Sequence, residues 1–494
     1  MNTSRTFATF LLPAILLLTS VAATQSGPDP LVGPWRGTLL VGIAKLEVVL
    51  HIERQDDGYH ATFDSVTQGA RGIPVASLAR EGDTVTAKLP RIGAEYVATF
   101  VAATDGAAAR LDGTWKQGGR SLDLDLEPGG EKPLNRPQHP TGEVPYGVEE
   151  VAFGHDPKQP LAESFVVGQG APVTLAATLT LPRGDGPHPV AVMISGSGPQ
   201  DRDESLLGHK PFWVIADHLT RNGVAVLRYD DRGTAGSTGD FAAATSADFA
   251  VDARAALRYL RTRDDIDHAR MGLIGHSEGG LIAPMVAAGP DRDLVAFAVL
   301  LAPPAVNIRD VITRQSALIG AAEGGDPDEV ALDAEMSGAA LAAVAANRDD
   351  AKAREAALQA IADEYWPKLP EESRKQVGGT PADLAKMMQR LNTPWMNWLV
   401  HHDPVPTLKA MRCEVLALFG GKDLQVEPAQ NVPPLEAALA GRQPKATIVT
   451  IDGVNHLFQH TETGKPSEYG DLEETFAPKA LQTIQHWLDR ILKR

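Results

Sequence analysis

Gly275-His276-Ser277-Glu278-Gly279 is the segment of this sequence whose residue types and spacing best suit chemistry. An apolar run, Met271 to Ile274, precedes it, and a helix-forming run, Leu281 to Ala288, follows. The pattern predicts a strand, a sharp turn and a helix. Glycines on both sides of Ser277 let the backbone turn tightly and hold the hydroxyl above the sheet edge. A serine hydroxyl is barely acidic. It attacks a carbonyl only if a base takes its proton and an anion orients that base.

Both partners can be sought downstream, in the order serine, acid, histidine. The run Cys413 to Phe419 reads as a strand and ends in Gly420-Gly421-Lys422-Asp423; Lys445 to Ile451 reads as another and leads into Asp452-Gly453-Val454-Asn455-His456. Asp423 and His456 thus sit just beyond the carboxyl ends of strands, where open sheets of this kind place ligands. Asp452 and Asp403 are rival acids, since turn aspartates are common. His401, His402 and His460 lack the placement of His456. Negative charge developing on a substrate oxygen needs backbone N–H groups aimed at it. One should come from Glu278 and the other from Ser197, in the loop that follows Pro189 to Ile194. That loop lacks the third glycine of a dinucleotide fingerprint and any following Gly-Lys-Ser/Thr.

Four segments in order carry a family resemblance: SGSGPQDRDE (Ser195 to Glu204), RYDDRGTAGSTG (Arg228 to Gly239), GHSEGG (Gly275 to Gly280) and GGKDLQV (Gly420 to Val426). From about Glu149 onward the chain resembles α/β-hydrolases of the bacterial esterase D type, related to dienelactone hydrolases and serine aminopeptidase-like hydrolases. The resemblance implies Ser277, Asp423 and His456 as triad and Ser197 and Glu278 as oxyanion hole. Such proteins often carry His where this chain has Ser195, which puts the shape of the oxyanion loop in question.

At 494 residues the chain exceeds one ordinary core, so more than one module is expected. Arg5, the apolar run Phe7 to Leu18 and the small residues up to Ala23 read as a signal peptide (1–23) cut after Ala23 or Thr24, implying a periplasmic or secreted protein. An uncleaved anchor is the alternative, but the run is short and Pro13 interrupts it. Residues 30–128 alternate over about eight short runs, an antiparallel β domain. Its Gly33-Pro34-Trp35 and Gly113-Thr114-Trp115 are similar to the Trp-closed ends of small lipocalin-like barrels. It could hold an apolar ligand or simply pack as a β module. Residues 129–147, rich in Pro and Gly, read as an extended linker.

Residues 148–494 then alternate strands and helices, predicting an α/β-hydrolase fold with a mostly parallel eight-stranded sheet. An alanine-rich helical insertion at about 307–406 reads as a cap or as a surface subdomain. Trp395, Met396 and Trp398 are candidates to line a substrate pocket, against a plain hydrophobic seam between cap and core.

The formal charge of −17, one unit more negative once Arg5 is removed, disfavours nucleic acid and anionic membranes as partners. Cys413 is the sole cysteine, so no internal disulfide can form, and it should pack within the strand before Asp423. His456 and His460 lie four apart without an HExxH pattern, so no metal site is expected. The residues point to a cofactor-free serine carboxylesterase acting on short to medium acyl esters. A thioesterase or peptidase would use the same triad, and a ligand-binding protein with a relic hydrolase domain is the non-enzymatic alternative. The sequence leaves the oligomeric state open.

Overall fold

The computed structural model describes residues 29–41, 44–66, 70–104, 106–118, 120–130 and 135–493. The expected signal peptide (1–23) lies outside the described residues, as do 131–134 of the expected linker.

The amino-terminal module is an antiparallel meander of nine strands, from Gly33–Val41 to Glu127–Pro128. The ninth arises because the last expected run breaks into Arg120–Asp123 and Glu127–Pro128. The break brings the two ends of the meander together. Leu126 N–H donates to Leu111 O at 2.9 Å, while Glu127 and Pro128 pair with Arg36 and Trp35. Alternate side chains point inward, as the pleat requires. Trp35, Phe63, Tyr96 and Trp115 fill that interior, with Phe63 stacked on Trp115 at 4.7 Å. An apolar ligand would have to displace these rings.

The stretch read as an extended spacer is docked instead. Arg136 donates to Leu207 O, Gly470 O and Leu472 O at 2.8–2.9 Å, and Gln138 bonds Thr475 and Phe476 backbone groups. Three carbonyls facing one guanidinium fix a segment that composition alone reads as free.

The second sheet has nine strands, in the spatial order Val166–Val167, Gly147–His155, Val173–Leu181, Ala225–Tyr229, His188–Ile194, Ile266–His276, Phe297–Leu301, Glu414–Gly420 and Thr447–Ile451. The first three joins are antiparallel and the remaining five parallel. The sheet is therefore mixed, with nine strands where eight were expected and an antiparallel edge beside its five parallel joins. Parallel neighbours need a crossover of a dozen or more residues, usually a helix. Residues 156–172 hold only the four-residue helix Leu161–Ser164, and 182–187 hold none. The strands and helices alternate through this sheet, as the expected α/β architecture requires. Its central strands are apolar runs buried on both faces, such as Phe297–Leu301, sandwiched by helices including Gly279–Ala288 and Pro478–Leu492.

Between Phe297–Leu301 and Glu414–Gly420 the chain leaves the sheet for a helical insertion, from Ile308–Ala322 to Pro394–Leu399. It has a core of its own, including Met336, Leu341, Leu358, Leu384 and Met388. Asn307 ties the two ends of the insertion together. Its side chain caps the first helix through Arg309 N–H and donates to Val400 O and His402 O. The last helix of the expected cap range, Pro404–Ala410, instead buries Leu408 in the core around the second sheet. Among the described residues, no helix is long and apolar enough to cross a membrane.

Candidate active site

Ile266–His276 delivers Ser277 directly from the strand into a turn, and Gly279–Ala288 begins two residues later. Ser277 has φ 53°, a left-handed conformation rare for a residue with a side chain and of order 1–3 kcal/mol uphill. Its N–H donates to Leu301 O at 2.8 Å, which pins the turn to the next strand. The flanking glycines are required by close approach. A Cβ on Gly275 would stand 2.0 Å from Gly279 O, and one on Gly279 2.1 Å from Ile194 O. Ser277 projects into a cavity of about 380 Å³ shared with His456, Ser197, Glu278 and Trp395.

His456 Nδ1 lies 2.8 Å from Asp423 Oδ2. The other oxygen, Oδ1, accepts from the N–H groups of Gln425 (2.8 Å) and Val426 (2.9 Å). The carboxylate is sealed from solvent, so these donors and the imidazole are what solvate its charge. The rivals are placed elsewhere. Asp403 caps the helix Pro404–Ala410 through Val405 N–H, and Asp452 is exposed. His401 bonds carbonyls within the insertion, His402 stacks on Trp398, and His460 is held by Glu474.

The loop after His188–Ile194 is held from beneath by acidic side chains outside the expected triad. Ser195 Oγ donates to Asp231 Oδ1 at 2.8 Å, and Gln200 N–H donates to Asp231 Oδ2 at 3.0 Å. Ser195, the departure from the family pattern, thus anchors the loop from below. Burial pushes the Asp231 carboxyl up to about 8 despite these donors. Asp230 receives Arg202 through N–H and guanidinium, and Gly236 N–H as well. Arg228 pairs with Asp203. Glu204 Oε1 accepts Gly196 N–H at 2.7 Å and lies 2.9 Å from His276 Nδ1. The available signal was the density of acids in QDRDE and RYDD, too many for a loop that only turns.

Glu278 does more than present its N–H. Its buried carboxyl accepts from Ser246 Oγ (2.6 Å) and Trp395 Nε1 (2.8 Å), tying the turn to the insertion. Burial raises its pKa above the ordinary range, against the opposing pull of hydrogen bonds from Ser246, Trp395 and Ser197.

Of the three aromatic or Met candidates for the pocket, Trp395 lines the cavity. Met396 packs in the core of the insertion and Trp398 stacks on His402 at 4.5 Å, which corrects the expectation for both. Helix geometry explains it: Trp395 and Leu399, four apart on Pro394–Leu399, share the cavity face, and Leu399 was the missed residue. Leu281, Ile308, Val311 and Ile312 complete an apolar wall, while Gln200, Gln315 and Gln425 add amides.

A family described as X-Pro dipeptidyl-peptidase (S15 family) matches residues 169–427, more than half of the chain. The chain belongs to this family. It is also 30% identical over 298 residues to Esterase EstD of Thermotoga maritima; the match covers 60% of this chain and 61% of that relative, less than two thirds of its length. Among solved structures, Est1E of Butyrivibrio proteoclasticus with ferulic acid bound is 18% identical, covering 65% of this chain and 97% of its own, with TM-score 0.38. GrgF, an α/β hydrolase from Penicillium sp. sh18, is 16% identical over 71% of this chain and 100% of its own, with TM-score 0.41.

Proposed function

We propose that this protein is a serine carboxylesterase for short to medium acyl esters, with Ser277 as nucleophile, His456 as general base and Asp423 as the anion that orients it. The observation that carries the reading is the Asp423–His456 pair opening into the same cavity as a serine on a strained strand-to-helix turn. Ser277 Oγ attacks the ester carbonyl as His456 takes its proton. The oxygen that gains charge is received by the N–H groups of Ser197 and Glu278, beside the N-terminus of Gly279–Ala288. Collapse expels the alcohol, which takes the proton from His456. Water, deprotonated by the same imidazole, then releases the acid from the acyl-enzyme and restores Ser277.

The cavity lies at the small end of ligand sites and is walled by aliphatic side chains, which suits short acyl groups. The Arg5 to Ala23 pattern supports a periplasmic or secreted setting.

A peptidase reading is favoured by one observation, the family match itself. Hydrolysis of p-nitrophenyl acetate, butyrate, octanoate and palmitate, run beside X-Pro p-nitroanilides, separates the two. Turnover of acetate and butyrate with little on the anilides is expected. Faster cleavage of the anilides would replace the esterase reading with the peptidase one.

A further inference from the structure

His276 is buried beside Ser277, yet its ring is used by nothing in the reaction above. Both of its nitrogens face acceptors. Nδ1 is 2.9 Å from Glu204 Oε1, and Nε2 is 3.1 Å from the backbone oxygen of His456. With Glu204 ionised, a neutral imidazole would turn a lone pair toward one of these oxygens, so both contacts are then satisfied when both nitrogens carry protons. Glu204 in turn accepts Gly196 N–H, and Gly196 stands so close to the nucleophile that a Cβ there would be 3.3 Å from Ser277 Cβ. The His276 and His456 rings lie 4.9 Å apart.

Resting on the proposed esterase reading, we propose that Glu204 and His276 form a buried ion pair that acts as a positioning pair. It holds the loop of Gly196 and Ser197 at one end and the backbone of His456 at the other, in register with Ser277. One imidazolium thereby links the loop that stabilises the oxyanion to the loop that carries the base. Both side chains border the cavity, and they act on the reacting groups through Gly196 and His456.

The titratable groups that face His276 are Glu204, from the loop after His188–Ile194, and His456 and Asp423, from loops beyond the last two strands. Burial opposes the charge on His276, but Glu204, the His456 carbonyl and Asp423 together raise the ring above the ordinary histidine range. The pair therefore breaks as pH rises through this raised pKa and His276 loses its proton.

The test is Glu204→Gln, which keeps an oxygen for Gly196 N–H and removes the charge. We expect kcat for p-nitrophenyl butyrate to fall about 10- to 100-fold with KM within about threefold, the scale of a small misplacement of reacting groups. The alkaline limb of kcat should also move to lower pH, because His276 loses the anion that keeps it protonated. An unchanged limb with kcat within about threefold of wild type would overturn the pair. Nitrogen-15 NMR of the histidine rings in the wild-type protein, with His276 assigned by His276→Gln, reads the same claim without catalysis. An imidazolium at pH 7 supports the pair, and a neutral ring overturns it even if Glu204→Gln does not fold or the wild type hydrolyses no ester. Wild-type turnover that disappears in Ser277→Ala, alongside an unaffected Glu204→Gln, would sink the pair and leave the esterase reading standing.

Discussion

Asp423 is sealed from solvent and held by His456 and two backbone N–H groups, so its charge has a single task, to orient and stabilise the imidazolium. Asp423→Asn should lower kcat by about 10⁴-fold with little change in KM, because an amide facing Nδ1 favours the wrong tautomer. Steady-state kinetics on butyrate checks this, and a loss below tenfold would remove Asp423 from the triad. Asp231 makes a different prediction. Its carboxyl is raised from the ordinary aspartate range to about 8, so the folded protein holds it protonated where the unfolded chain ionises it. Its contribution to stability is then present below about pH 4 and lost progressively as pH rises to about 8. Asp231→Asn removes that loss. Urea unfolding across this window should show the variant gaining on the wild type as pH rises, with a plateau above 8. A gap that does not vary with pH would show an ordinary Asp231. These two aspartates differ in how legible they were. Asp423 follows a strand and a Gly-Gly turn, which sequence displays. The role of Asp231 depends on Ser195 and Gln200, brought to it only by the parallel pairing of Ala225–Tyr229 with His188–Ile194.

At the scale of elements, the strand-turn-helix around Ser277 was visible because its glycines, apolar run and helix lie within one short window. The direction of the first strands was not, since pairing between Gly147–His155 and Val173–Leu181 is decided by the lack of a crossover helix between them. The pocket was half legible for a similar reason. A Trp-Met-Asn-Trp run shows aromatic material, but which face of Pro394–Leu399 meets the cavity depends on how the insertion docks. Trp395→Ala and Leu399→Ala should each enlarge the cavity and shift preference from butyrate toward octanoate, read as a ratio of kcat/KM. Trp398→Ala should leave that ratio within about twofold, since Trp398 stacks on His402 away from the cavity. A shift with Trp398 as large as with Trp395 would contradict this placement. Met396→Ala should cost about 2–5 kcal/mol of stability in the insertion through the void left in its core.

Across the whole molecule, the β module is seated on the edge of the candidate site. Leu46 packs against a cluster of Leu207, Leu457 and Tyr469, Lys45 pairs with Asp471, and Arg136 of the docked linker gathers three carbonyls from the same two loops. Composition marked that linker as Pro- and Gly-rich; the carbonyls it meets come from segments some 70 and 335 positions away, which no local pattern records. Arg136→Ala should speed proteolytic separation of the β module from the hydrolase domain. It should also lower the thermal midpoint, because three charge-assisted hydrogen bonds are lost together. Unchanged cleavage would show the module to be held by other contacts. The central claim concerns Ser277, and the intact protein tests it most directly: a fluorophosphonate reagent followed by whole-protein and peptide mass spectrometry, with Ser277→Ala alongside. A single adduct on the peptide containing Ser277, absent from the variant together with its ester hydrolysis, is the predicted result. An adduct elsewhere, or a Ser277→Ala protein that still hydrolyses butyrate at the wild-type rate, would contradict it.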